Sequence, residues 1–178
     1  MRQSTLLLAA VLLCLKAHAI GAPSFFEAAE RGDVVTLKRL LKSERININE
    51  RDSAGNTALM HAITNNEEAA ALFLIESGAN LDFTFGSKKE TILFEACRVG
   101  NLKIIKALLK KSPKLSKVEN TDGETALFEA VRNAHSKVAK LLVSNGADPR
   151  KKNKLGTSAL DLASKDPNLK SALTKLAK

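Results

Sequence analysis

Leucine and alanine recur along the chain in a fixed order. Leu59, Leu93, Leu127 and Leu160 are each followed three residues later by an alanine, Ala62, Ala96, Ala130 and Ala163, and a degenerate earlier copy ends at Ala28. The five alanines stand 34, 34, 34 and 33 residues apart. Three residues is close to one helical turn, so each Leu–Ala pair shares a helix face, with the alanine small where two helices must approach. A second apolar set follows in each period with i, i+3, i+4 spacing: Val34–Leu41, Ala69–Ile75, Leu102–Leu109 and Lys137–Val143. Leu40, Leu74, Leu108 and Leu142 keep the same period. The pattern predicts two short helices per period and a stacked, all-α array of five helix pairs, each burying its apolar face on its neighbours.

Polar residues and glycines punctuate the pattern where such helices should begin and end. Thr57, Thr91, Thr125 and Ser158 stand where a hydroxyl caps the first helix by accepting a backbone N–H bond. Gly32, Asn66 and Gly100 fall where that helix should stop in the left-handed conformation, and Ala134 fills the same slot, where strain is expected. Gly78 and Gly146 end two of the second helices, and Asp166-Pro167 opens the last one as a cap and first-turn proline. The units run over about 24–50, 51–85, 86–119, 120–152 and 153–178, the first and last acting as caps.

The chain opens differently. Arg2, the apolar run Leu6–Leu15 and the A-x-A end Ala17-His18-Ala19 form a secretory signal with cleavage expected after Ala19. Ten apolar residues are too few to span a bilayer, which needs about 20, and Leu13 before Cys14 does not suit lipid attachment. Cleavage leaves 159 residues with Cys97 as their sole cysteine, so no internal disulfide is expected in an oxidising compartment. The remaining +7 charge is uneven: +6 of it lies from Arg150 onward. That end is read as a solubilising face in preference to a contact with an acidic protein, anionic lipid headgroups or a wall polymer. Nucleic acid is disfavoured, because no Tyr or Trp is present to stack on bases.

No catalytic constellation emerges: no H-E-x-x-H, no G-x-S-x-G, no phosphate-cradling loop and no paired-cysteine metal site. Neither an enzyme nor a cofactor or metal site is expected. His61 shares its repeat slot with Glu27, Glu95 and Glu129, a partly exposed position, and His135 opens a second helix in a structural role. Cys97 is expected to be a small buried hydrophobe.

The segments Gly55–Asn80 and Gly123–Asp148 resemble the ankyrin repeat, G-x-T-P-L-H-x-A-A-x-x-G with an L-L-x-x-G-A-D ending, and the resemblance extends over about 25–176. It departs at the family proline, here Ala58, Ile92, Ala126 and Ala159, and at the family histidine, here Met60, Phe94, Phe128 and Asp161, where apolar packing should replace a polar contact. The turn glycine is Lys89 in the middle repeat. In this family the fingertips and the outer ends of the first helices line a concave partner-binding face. The resemblance therefore implies protein contacts at Ser53, Ala54 and Asn56, at Ser87, Lys88 and Glu90, and at Thr121, Asp122 and Glu124. On the helix ends it implies Thr64, Asn65, Arg98, Val99, Arg132 and Asn133. Phe83 and Phe85, one residue apart on the finger between the second and third units, should point the same way and anchor a partner, the alternative being that they fold back onto the neighbouring turn and fill a gap. A signal sequence before a small free-standing array is similar to the periplasmic ankyrin proteins of bacteria. These include immunity proteins of predatory bacteria that block peptidoglycan endopeptidases of the penicillin-binding class, and proteins that support periplasmic catalase. The expectation is a protein, monomeric when free, that binds and inhibits a periplasmic peptidase. The alternatives are a support factor for an enzyme such as catalase, and a secreted effector binding a host protein.

Overall fold

A computed structural model describes residues 24–43 and 46–177. The expected signal segment, residues 1–19, lies outside the described residues. Among the described residues ten α-helices follow in packed pairs: α1 (Phe25–Glu30) with α2 (Val34–Ser43), α3 (Ala58–Thr64) with α4 (Glu68–Glu76), and α5 (Ile92–Val99) with α6 (Leu102–Lys111). The series continues with α7 (Ala126–Arg132) and α8 (Ser136–Ser144), then α9 (Ala159–Leu162) and α10 (Pro167–Leu176). Two 3-10 turns, Pro113–Lys117 and Ala163–Lys165, join them. First helices stack on first helices and second on second, α1 on α3 on α5 on α7 and α2 on α4 on α6 on α8, which is the array the 34-residue period predicts.

The periodic apolar residues form one continuous core. Ala28, Ala62, Ala96, Ala130 and Ala163 are all buried, as are Leu59, Leu93 and Leu127 and the second-helix leucines Leu40, Leu74, Leu108 and Leu142. Phe94 and Phe128, in the histidine slot of the resemblance, are fully buried, so apolar packing does take that place. Asp161, in the same slot, instead closes a reciprocal cap with Ser158. Cys97 is buried, and its burial pushes the thiol far above the ordinary range, which suits a packing role.

The left-handed stops are where the sequence places them. Gly32, Asn66, Gly100 and Ala134 have φ of 69°, 58°, 85° and 56°, so an alanine does take the disfavoured conformation. Gly100 is required twice, because a Cβ there would also collide with the His135 ring. The caps are only half as expected. Thr57 and Ser158 accept from the amides of Met60 and Asp161 at 3.3 and 3.1 Å. Thr91 and Thr125 occupy the cap position, but their buried hydroxyls have no hydrogen-bond partner. At Thr125 the Phe128 amide donates to the Thr125 carbonyl at 2.9 Å instead.

The fingers are built in two ways. At the second, fourth and fifth, one side-chain oxygen closes the turn: Asp52 accepts from the amides of Ala54 and Asn56, Asn120 from Asp122 and Glu124, and Asn153 from Leu155 and Thr157, all at 2.8–3.0 Å. The third finger has Gly86 in that slot and closes as a small hairpin, β1 (Thr84–Phe85) pairing antiparallel with β2 (Glu90–Thr91). Lys89 holds the turn glycine's place there with φ 52°.

Candidate protein-binding surface

The outer ends of the first helices carry a polar ladder. Glu30 contacts His61 at 2.8 Å, Thr64 donates to Glu95 at 3.3 Å, and Arg98 reaches Glu129 at 3.4 Å. Each contact joins positions 31 residues apart, from the end of one first helix to the middle of the next. Any fixed offset in a periodic chain repeats, so one complementary pair becomes a row across the array. The fifth unit has Leu162 in the next slot, so Arg132 turns back to Glu129 at 3.1 Å and to Glu124 at 2.5 Å.

This ladder revises several site expectations. Glu124, expected at an exposed tip, is 3% exposed and takes hydrogen bonds from Arg132 and from the Asn153 side-chain Nδ2 at 2.7 Å. Burial alone would raise its carboxyl, but those two hydrogen bonds and the Arg132 charge hold it below the usual carboxylate range. It is a buried strut between the fourth and fifth fingers. Arg98 and Arg132 are exposed but engaged: Arg98 bonds Glu90 at 2.9 Å and Glu95 as well as Glu129. Asn65 and Asn133 are exposed, and both donate to carbonyls of their own helix, those of His61 and Glu129. Lys88 and Asp122 pair across the third and fourth tips at 2.8 Å. Ser53, Ala54, Ser87 and Thr121 are exposed, and Val99 is half-buried.

Phe83 and Phe85 do face the same way. The Arg51 guanidinium stacks over both rings, 4.2 Å from the Phe83 centroid and 5.5 Å from that of Phe85. Their roles differ, however. Phe85 packs against the core, whereas Phe83 is half-buried outside it.

Between the second and third fingers a pocket of about 330 Å³ brings together five of the predicted residues, Asn56, Thr64, Phe85, Glu90 and Arg98. His61 and Glu95 join them there; His61 also bonds Asp52 at 2.7 Å. The sequence reading passed over His61, Glu30 and Glu95 as site residues. The signal was available as complementary polar residues at a constant 31-residue offset. A larger hollow of about 590 Å³, lined by Leu41, Ile46, Ile48 and Phe73, holds none of the predicted residues. Among the described residues no cluster of His, Cys, Asp and Glu could hold a metal ion. The arrangement offers contact surface: mixed charge along the first helices, a pocket, and an aromatic finger beside it.

A family model for ankyrin repeats in three copies matches residues 6–85 and again 80–153. The chain belongs to the ankyrin-repeat family. Among curated proteins it is 34% identical over 94 residues to an ankyrin repeat protein of Borreliella burgdorferi, covering 48% of this chain and 42% of that one. It is 41% identical over 59 residues to the palmitoyltransferase akr1 of Schizosaccharomyces pombe, covering 33% of this chain and 9% of the relative. The chain thus spans less than half the length of these curated relatives. Among solved structures, it matches a chain in the complex of a predatory endopeptidase from Bdellovibrio bacteriovorus with an immunity protein. That match has a TM-score of 0.63 and 30% identity, and covers 87% of this chain and 98% of the other.

Proposed function

We propose that this ankyrin array is exported to the periplasm, without catalytic activity of its own, and there binds and inhibits a peptidoglycan peptidase as a self-protection protein. The observation that carries the reading is the end-to-end likeness, at 30% identity, to a chain of the endopeptidase–immunity protein complex. The leading segment Arg2–Ala19 supports export. The pocket walled by Asn56, Phe85, Glu90 and Arg98 supports the reading, since extended surface contact is what a repeat scaffold offers a partner. An array of this kind inhibits by covering a cleft, so its effect requires complementarity of shape and charge and no chemistry of its own.

The test has two stages. Tagged protein is used to capture its partner from periplasmic extract, and the captured enzyme is assayed with and without it. Loss of peptidase activity at stoichiometric protein is expected. Retention of a catalase, or a peptidase left fully active, overturns the reading. Phe83→Ala then locates the contact: it should weaken binding about 30-fold, as loss of an interface anchor worth ~2 kcal/mol does, with little change in melting temperature. Phe85→Ala is the poorer probe, because that ring also packs against the core.

A further inference from the structure

The fifth finger differs from the others at its tip. The equivalent positions before the turn glycine are Ala54, Lys88 and Asp122, and the fifth is Leu155, 88% exposed. Nothing about the fold requires a leucine there. Its backbone is fixed all the same: Asn153 accepts from the Leu155 and Thr157 amides at 3.0 Å, the Gly156 amide returns to the Asn153 carbonyl at 2.9 Å, and the Lys154 amide is tied to the Asp122 carbonyl of the neighbouring finger at 2.9 Å. The side chain is held out in water on a rigid turn.

Exposed lysines flank it, Lys152 before the turn and Lys154 beside the tip, while Lys151 is paired with Glu119. The same end of the array exposes Leu176 on α10, and Arg150 donates to the Ala177 carbonyl at 3.0 Å, tying the finger's base to the end of that helix. The chain from Arg150 onward carries +6. One protruding leucine is far smaller than a protein-sized apolar patch, and a rigid partner would need a socket shaped for it. A fluid headgroup layer closes around a single side chain without one. One apolar insertion combined with a basic cluster is the pairing that gives reversible attachment to an anionic bilayer surface.

We propose that the fifth finger and the basic end behind it form a peripheral contact for anionic phospholipid, with lysines on the headgroups and Leu155 dipping between them. Among the described residues no helix is long and apolar enough to cross a membrane, so the array lies against the surface. This inference stands apart from the peptidase reading, since it uses different residues and a different ligand.

The test is co-sedimentation of the purified protein, with residues 1–19 removed, on vesicles of phosphatidylglycerol and phosphatidylcholine at roughly 1:2, against phosphatidylcholine alone. The described packing lies entirely within residues 24–177, so this form keeps the whole array. Binding is expected only to the anionic vesicles and is lost near 0.5 M salt, where the screening length falls to a few ångströms. Leu155→Ser should lower binding about five-fold, the loss of one partly inserted leucine. Lys152→Glu/Lys154→Glu should reduce it to the level on neutral vesicles. Val35 is the control: it is 78% exposed, but residues 24–50 carry five basic and five acidic residues. Val35→Ser should bind as the parent does. The proposal fails if Leu155→Ser binds vesicles unchanged, if Val35→Ser loses as much, or if neutral vesicles bind equally well. It also fails if Leu155→Ser weakens capture of a protein partner and leaves vesicle binding intact, because the tip would then be a protein anchor.

Discussion

The third and fourth fingers stand side by side in the same fold and are held by different means. In the fourth, the Asn120 oxygen closes the turn on two amides and Gly123 supplies the positive φ of 75°; the strut beneath it, Glu124 held by Arg132 and Asn153, has its counterpart in the third, where Glu90 takes Arg98 at 2.9 Å and Asn120 at 3.5 Å. In the third, Gly86 and Lys89 occupy the asparagine and glycine slots, and closure rests on backbone, with the strand pairing Phe85↔Glu90 and a long Lys89-to-Gly86 bond of 3.3 Å. The fourth finger spends its side chains on its own closure. The third leaves two phenyl rings under Arg51 beside a pocket. The two fingers differ in how the tip is closed, by a side-chain oxygen in one and by strand pairing in the other.

The most direct way to break this comparison is Asn120→Ala. It removes the acceptor for two amides, and at about 1 kcal/mol per hydrogen bond the loss is ~2 kcal/mol. For a domain of this size the melting temperature should fall by about 4–8 °C. Ser87→Ala in the third finger should change stability by less than ~0.5 kcal/mol. Equal effects at the two sites, measured by thermal melting, would mean that the turn acceptor contributes nothing and that the fingers are equivalent.

Glu124 sharpens the difference through pH. Its folded-state pKa lies below the ordinary value, as do those of Asp122, lowered first by the Lys88 hydrogen bond, and of Asp52, lowered first by the Asn56 amide. A depressed carboxyl contributes stability that is fully present above its unfolded pKa, ~4.3 for glutamate, and is lost as pH falls through the folded value. Stability should therefore drop progressively below about pH 4.5. Glu124→Gln should cost ~1.5 kcal/mol at neutral pH by weakening the Arg132 bond, and should lose less than the parent between about pH 6 and pH 3.5. Denaturant melts at the two pH values give the comparison. If the acid loss is as large in Glu124→Gln, the buried strut is not where the protein senses acid.

The array was legible from the sequence because periodicity states the same fact five times, and one irregular unit does not obscure it. The helix stops at Gly32, Asn66, Gly100 and Ala134 were legible for the same reason, even where the residue was unfavourable. Thr91 and Thr125 mark the limit of such reading. Their position was legible, but whether the hydroxyl reaches an amide is set by the local geometry of the first turn, which the sequence pattern does not carry. The surface was harder. Glu124 looks exposed in the sequence because the residues that bury it, Arg132 and Asn153, lie eight residues away and in the next finger. Leu155 went unnoticed because a leucine in a repeat is expected in the core, and only its place at a turn tip reverses that expectation.

The smallest effect probes the third finger from the opposite side. Lys89 takes φ 52°, the conformation that its counterparts Gly55, Gly123 and Gly156 adopt without strain. A side chain there costs ~1–2 kcal/mol, while introducing glycine frees the unfolded chain by ~0.5–1 kcal/mol. Lys89→Gly should therefore stabilise by only ~0.5 kcal/mol, a shift of about 1–2 °C. Its value lies in being read together with partner affinity. A gain in stability with affinity unchanged would show that the strained turn is incidental and that Phe83 carries the finger's function. A gain in stability with weaker binding would show that the lysine is held at the tip, against the backbone's preference, because the partner contacts it.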